Sequence, residues 1–124
     1  MPAVPEVAVK RTNRRFSFVA EAELTTLNGG TGLRARVSEL SSRGCYVDTP
    51  EAFPVDTDLR LRIRYGGSTC ELPGKVIYTH RGWGMGVRFG EMEPAQRFSL
   101  NSWLAELARK SRGANLRESP SPAD

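Results

Sequence analysis

The sequence of 124 residues contains few of the residues that build metal centres or disulfide frameworks. It has two cysteines, Cys45 and Cys70, and one histidine, His80. The cysteines have neither the spacing of zinc ligands nor that of a redox pair, so we interpret them as core side chains in a reducing compartment. The histidine has no companion ligands and is expected at the surface. The sequence predicts no metal and no cofactor.

Long apolar runs are also missing. No stretch approaches the roughly 20 residues that a membrane-spanning helix needs, and the start, MPAVPEVAVK, does not have the basic-then-apolar order of a secretion signal. We therefore predict a cytoplasmic protein without membrane insertion. An enzyme is not expected, because the sequence shows no nucleophile–base set and no glycine-rich phosphate loop leading into a helix.

The chain is basic, with 18 Lys plus Arg, 14 Asp plus Glu and a net charge of +4. Most of the cations are arginines, whose planar guanidinium donates in a fork that suits phosphates and nucleobases. The densest cluster lies in VKRTNRRFSF at 9–18 and comprises Lys10, Arg11, Arg14 and Arg15. Taken alone, this cluster would be interpreted as a solvated arm. The arginines of later strands are interpreted as a solvated sheet face that pairs with acidic side chains, Glu21 and Glu23 among them.

Period-two alternation of apolar residues predicts strands. The first runs from Phe16 to Thr25, and NGGTG at 28–32 is typical of a hairpin turn. Pro73 and Gly74 are expected to cause a bulge or mark an edge position within the fifth strand. The further predicted strands lie at about 33–38, 45–48, 59–65, 69–79 and 86–89.

Helical spacing replaces the alternation after Pro94, a residue that fits a first helical turn. The apolar stripe of this segment is formed by Leu100, Trp103, Leu104 and Leu107. Trp83 and Trp103 are both interpreted as caps on the core, with a partner anchor as the alternative for Trp103.

The succession of short strands, glycine-rich turns and one amphipathic helix predicts a mainly β fold: a six-stranded antiparallel β-barrel with a C-terminal α-helix. We expect a flexible N-terminal arm at 1–15, the barrel at 16–93, the helix at 94–111 and a disordered tail at 112–124. If the first hairpin turns about Gly30, the numbers of paired residues sum to ~60. Arg15 then faces residue 45, and the basic arm lies beside the 39–44 loop.

Two short motifs and the closing hairpin resemble the PilZ domain family. RTNRRF carries the RxxxR signature as Arg11 and Arg15, and ELSSRG at 39–44 is similar to (D/N)xSxxG. The stretch LPGKVIYTHRGWGMGVRF is similar to the family's last two strands, and the resemblance covers residue 10 to about residue 108. It implies a barrel that binds the second messenger cyclic di-GMP. The implied binding residues are Arg11, Arg15, Glu39, Ser41 and Gly44, with Lys10, Arg14 and Arg43 as possible accessory residues.

The chemistry of these residue types suits that ligand. Guanine presents O6 and N7 side by side to an arginine fork, and a serine hydroxyl such as that of Ser41 can donate to a phosphate or base acceptor. Glu39, where the family has Asp or Asn, can accept from the guanine N1–H and amine. Gly44 allows a tight turn close to the ligand. Lys10 stands near a family arginine that favours a stacked ligand pair, which leaves the ligand stoichiometry open.

Three functions remain as alternatives. The first is a cyclic di-GMP-binding signalling module that orders its basic arm on ligand binding and regulates a protein partner. The second is a degenerate adaptor of the same fold that does not bind cyclic di-GMP and acts through protein contacts. The third, a nucleic-acid-binding barrel, is disfavoured because few aromatics accompany the basic strands.

Overall fold

A computed structural model describes the chain from residue 14 to residue 118, with side chains up to residue 111. Within it, six strands close into an antiparallel barrel in the order β1-β2-β3-β6-β5-β4, and one helix follows, as predicted. The predicted binding residues Lys10 and Arg11 lie outside the described residues. The elements are β1 Phe16–Thr26, β2 Gly32–Leu40, β3 Gly44–Asp48, β4 Asp58–Tyr65, β5 Ser68–His80, β6 Gly84–Phe89 and α1 Pro94–Glu118.

The barrel interior is filled by the inward side chains of every strand. Along β1 the burial alternates without interruption, which follows the period-two pattern of the sequence. Burying each large aliphatic side chain contributes about 1.5–3 kcal/mol. One fully or nearly fully buried residue from each of the six strands is, in order, Leu24, Val37, Val47, Leu61, Val76 and Val87.

Of the two expectations for Pro73, a bulge or an edge position, the structure shows no bulge at this residue. Pro73 pairs in regular register with Arg60, and the irregularity lies between Val76 and Tyr78. The Pro73 carbonyl accepts a hydrogen bond from Gly90 N at 2.8 Å, beyond the end of β6. Since the N–H and C=O of an antiparallel strand residue point to the same side, the proline nitrogen also faces past β6. Proline has no backbone N–H, and at this position its absence costs no hydrogen bond between β5 and β4.

The helix α1 closes one end of the barrel through its apolar stripe. Trp103 is buried, and its ring lies 5.8 Å from that of Phe18 and 5.6 Å from that of Tyr65. Its indole N–H donates to Ser68 Oγ at 3.1 Å. Trp103 therefore caps the core as predicted. Trp83 does not: it follows Gly82, whose φ is +78°, in the β5–β6 turn, and is 77% exposed.

The C-terminal boundary of the helix differs from the expected one. The helix continues to Glu118, past the predicted end at residue 111. The residue types after Gly113 include alanine, leucine, arginine and glutamate, which favour helix and offset the cost of one glycine. No helix in the described part of the chain is long and apolar enough to cross a membrane.

The outer face of the barrel carries a ladder of cross-strand ion pairs between the arginines of β2 and β4 and acidic residues of β1, β3 and β5, as interpreted from the sequence. Arg36 lies 3.2 Å from Asp48 and Arg64 lies 3.3 Å from Glu21. Pairs at such exposed positions contribute about 0–1 kcal/mol each. The two longer pairs of the ladder are Arg34–Glu23 at 3.7 Å and Arg62–Glu71 at 3.9 Å.

Candidate functional site

We call the basic residues before β1, from Lys10 to Arg15, the entry segment. The β1–β2 hairpin places its last residue, Arg15, beside the loop between β2 and β3. Phe16 pairs with Leu40 and Ser17 with Glu39. Arg15 therefore comes opposite Ser41, not opposite residue 45 as predicted. The difference arises because the turn is centred before Gly30 and because β1 has a register shift between Ser17 and Ala20. For Arg15, the last residue of the arm, the predicted proximity to the loop nevertheless holds.

Arg15 and Glu39 form a direct contact between the two motifs. Arg15 Nη1 lies 3.7 Å from Glu39 Oε1, and the two side chains are 67% and 47% exposed. At this distance and exposure the pair contributes about 0–1 kcal/mol. A competing anion can therefore draw Arg15 away from Glu39 at small cost.

Ser41 shapes the β2–β3 loop with its own hydroxyl. Its side chain is buried, and Oγ accepts hydrogen bonds from the backbone N–H groups of Arg43 and Gly44, both at 3.2 Å. The hydroxyl in turn donates to the Gly44 carbonyl at 3.3 Å. A serine side chain that satisfies backbone groups two and three residues ahead is a typical turn-forming element. Its predicted donation to a ligand would require rotating this proton away from Gly44.

Gly44 lies where β3 approaches β6 closely. A Cβ built on Gly44 would stand 2.1 Å from the Val87 carbonyl oxygen, well inside contact distance. The neighbouring Arg43 carbonyl accepts a hydrogen bond from Phe89 N at 2.7 Å. Gly44 thus has a packing role in addition to its predicted position beside a ligand.

A cavity of about 240 Å³ lies between these elements on the barrel surface. It brings together four of the predicted residues and one predicted accessory residue, Arg15, Glu39, Ser41, Gly44 and Arg43. Sequence reasoning missed the opposite wall, which comprises Tyr46, Ile77, Tyr78 and Arg88. Those positions become neighbours only through the pairing of β3 and β5 with β6, which sequence periodicity does not reveal.

The charges of the cavity favour an anionic ligand. Within the described residues, neither Arg43 nor Arg88 forms an ion pair, and Glu39 is the only acidic residue that lines the cavity. A larger groove of about 850 Å³ runs over β1, β2 and β4, but its arginines belong to the ion-pair ladder. The smaller cavity therefore offers the less compensated positive charge.

Arg14 points to the other side of the entry segment. Its Nη2 donates to Ser111 Oγ at 3.1 Å, and its guanidinium lies 4.7 Å from the centre of the Phe16 ring. Arg14 does not line the cavity, whereas Arg15 does. The two adjacent arginines consequently connect the entry segment to the helix and to the cavity, respectively.

Two ionisable groups at the cavity stay neutral near pH 7. Burial raises the pKa of the Cys45 thiol to about 12. Partial burial, followed by the charges of Tyr78, Asp48 and Glu39, raises the pKa of Tyr46 above its ordinary value. Because neither a thiolate nor a phenolate forms, these groups add no negative charge that would oppose an anion.

Comparison with known proteins relates the whole arrangement to one family. Residues 9–106 match the family described as PilZ domain. No curated protein matches the chain.

Solved structures share the fold. The PilZ domain of YcgR with c-di-GMP, from Escherichia coli, is 17% identical over 85% of this chain and 96% of that one, with a TM-score of 0.69. YcgR in complex with c-di-GMP gives 18% identity and a TM-score of 0.72 over 87% of this chain, which spans 50% of that protein. The PilZ domain of CeSA from a cellulose-synthesizing bacterium gives 21% identity and a TM-score of 0.63 over 77% of this chain and 98% of that one.

Proposed function

The chain belongs to the PilZ domain family, and on that premise we propose that it is a receptor module for cyclic di-GMP. In this proposal the dinucleotide binds between the basic entry segment and the β2–β3 loop, and its binding regulates a protein partner. Structures of YcgR from Escherichia coli contain c-di-GMP on a barrel of the same fold. This likeness supports the class of ligand.

The observation that carries the proposal is one cavity shared by two distant motifs. Arg15 and the Ser41–Gly44 loop line the same cavity although a complete hairpin separates them in the sequence. Arg15, Arg43 and Arg88 can donate to phosphate oxygens or to the O6 and N7 edge of guanine. Glu39 can accept from the guanine N1–H and amine groups. Arg11, which lies outside the described residues, is proposed as the second arginine of the entry segment.

The proposed regulation depends on the entry segment. Arg15 lines the cavity while Arg14 donates to Ser111 in α1. When a ligand orders residues 8–15 against the cavity, the neighbouring contact with the helix changes with it, and a partner can detect that altered surface. The expected ordering can be followed as slower hydrogen exchange at residues 8–15.

Calorimetric titration with cyclic di-GMP tests the proposed site. We expect the wild-type protein to bind, and Arg11→Ala and Arg15→Ala each to weaken binding by at least about 10-fold, which corresponds to about 1.4 kcal/mol. Arg60→Ala is the matched control, since it removes the same charge from an exposed position on β4 that does not line the cavity. Equal weakening in Arg60→Ala would mean that net charge, not the cavity, attracts the ligand.

A specific contact favours the second candidate function, an adaptor that acts on a protein partner without the ligand. Glu39 occupies the guanidinium of Arg15 and places a carboxylate where phosphates would approach. If the wild-type protein does not bind cyclic di-GMP, the variant Glu39→Asp tests whether Glu39 is the reason. Shortening the side chain by one methylene withdraws the carboxylate from Arg15. If Glu39→Asp binds cyclic di-GMP, the lack of binding by the wild-type protein is caused by Glu39, and this result supports the adaptor.

A further inference from the structure

Two tyrosine rings lie across β6 on the outer surface of the barrel. Gly86 pairs with Tyr46 of β3 on one side and with Tyr78 of β5 on the other. A Cβ at Gly86 would stand 2.3 Å from the Tyr78 ring. A Cβ at Gly84 would stand 2.2 Å from the Val47 carbonyl oxygen and 2.8 Å from the Tyr46 ring. The lack of a side chain at Gly86 therefore leaves room for the Tyr78 ring, and the lack of one at Gly84 leaves room for the backbone of β3 and for the Tyr46 ring.

A third ring and a hydrogen bond fix this arrangement. The Tyr46 hydroxyl lies 2.9 Å from His80 Nδ1, and the His80 ring centre is 5.7 Å from that of Tyr46 and 5.2 Å from that of Tyr78. We call the surface formed by Tyr46, Tyr78 and His80 the aromatic shelf. Glycine inside a strand weakens it, and often marks a place where a ligand or another chain approaches closely.

The aromatic shelf is continuous with the cationic cavity. Tyr46 and Tyr78 line the same cavity as Arg15 and Arg43. One wall thus offers the guanidinium groups of Arg15 and Arg43, and the other offers flat rings together with Arg88. A cyclic dinucleotide has a matching division, because its phosphates are anionic and its bases are planar. Aromatic side chains stack on bases of any sequence, and larger purine rings offer more area for this contact.

We propose that Tyr46 and Tyr78 form a stacking surface for one base of the bound dinucleotide and set a preference for purine over pyrimidine bases. This proposal rests on the proposed function of the cavity. The tyrosines contribute ring faces, and His80 holds the Tyr46 ring in place through its hydroxyl. The cationic wall then supplies affinity for the phosphates, while the aromatic shelf distinguishes the bases.

Titrations of three variants with cyclic di-GMP and with its pyrimidine counterpart cyclic di-UMP test the proposal. Tyr78→Leu and Tyr46→Leu remove a ring, and we expect each to weaken cyclic di-GMP binding by about 10- to 100-fold, the range typical of losing one stacked base. Tyr78→Phe keeps the ring and is expected to bind within about 3-fold of wild type. Binding of cyclic di-UMP is expected to be weaker from the start and to change little in the leucine variants.

The variant Gly86→Ala is a second test of the stacking proposal, and it leaves both tyrosines in the sequence. The three atoms nearest to the added methyl all belong to the Tyr78 side chain, two of them to its ring, so the substitution displaces that ring first. We expect cyclic di-GMP binding to weaken as in Tyr78→Leu. In the unaltered protein, the Tyr78 ring protons are expected to shift upfield in NMR spectra when the purine ligand is added, which tests stacking without any substitution.

The outcomes separate the aromatic shelf from the proposed function. If Arg15→Ala abolishes binding but both leucine variants bind cyclic di-GMP as wild type does, the cavity is the site and the stacking proposal is wrong. Equal losses for Tyr78→Phe and Tyr78→Leu would assign the effect to the hydroxyl and also contradict it. A wild-type protein that is folded and binds neither dinucleotide overturns both proposals.

Discussion

Trp103→Ala is expected to lower the free energy of unfolding by about 3–5 kcal/mol, the usual cost of deleting a buried aromatic side chain. The indole is 6% exposed and packs against Phe18 and Tyr65, whose own ring centres are 4.5 Å apart, at the barrel end. Its removal leaves a cavity there and deprives Ser68 Oγ of a hydrogen bond. Urea denaturation followed by far-ultraviolet circular dichroism measures the change.

Phe98→Ala is the control on the same helix. Phe98 is 74% exposed, and surface substitutions of this kind usually change stability by less than about 0.5 kcal/mol. If both variants were as stable as the wild type, Trp103 would contribute little to docking α1. Its alternative interpretation as an anchor for a partner would then gain support.

The architecture could be predicted because the alternation of apolar residues is clean. The β1 side chains follow period two over the whole strand, and α1 follows helical spacing from Leu100 to Leu107. The register of the strands is harder to predict from the sequence. The shift between Ser17 and Ala20 leaves the in–out alternation of β1 intact. Its trace lies in β2, where buried Leu40 follows buried Val37 by three residues instead of two. Register depends on turn geometry and on such irregularities, which are not determined by hydrophobicity.

Half of the candidate site could be predicted for a topological reason. Two strands joined by a hairpin bring their outer ends together, so Arg15 and the loop after β2 are neighbours in any nearby register. The wall with Tyr46 and Tyr78 is different. It depends on β6 lying between β3 and β5, and β3 is separated from β6 in the sequence by two whole strands. Such non-local pairing is set by closure of the barrel.

Gly44 is the residue whose role changed most between sequence and structure. The motif assigned it to a tight turn near a ligand, and it does line the cavity. Yet its nearest neighbours are backbone atoms of β6, with the Val87 carbonyl oxygen 2.1 Å from the position of an added Cβ and Arg88 Cα at 3.2 Å. Backbone atoms cannot turn aside as the end of a flexible side chain can. The strands must separate for any larger residue to fit.

Gly44→Ala is therefore expected to destabilise the barrel by about 3 kcal/mol, the upper part of the usual range for overpacking, and to weaken cyclic di-GMP binding as a consequence. Gly29→Ala is the matched control, because a Cβ at Gly29 meets no atom within 4 Å. Urea denaturation of both variants measures stability, and titration at a temperature where the Gly44 variant remains folded measures binding. A Gly44→Ala protein with wild-type stability that has lost binding would show that this glycine serves the ligand and not the contact between β3 and β6.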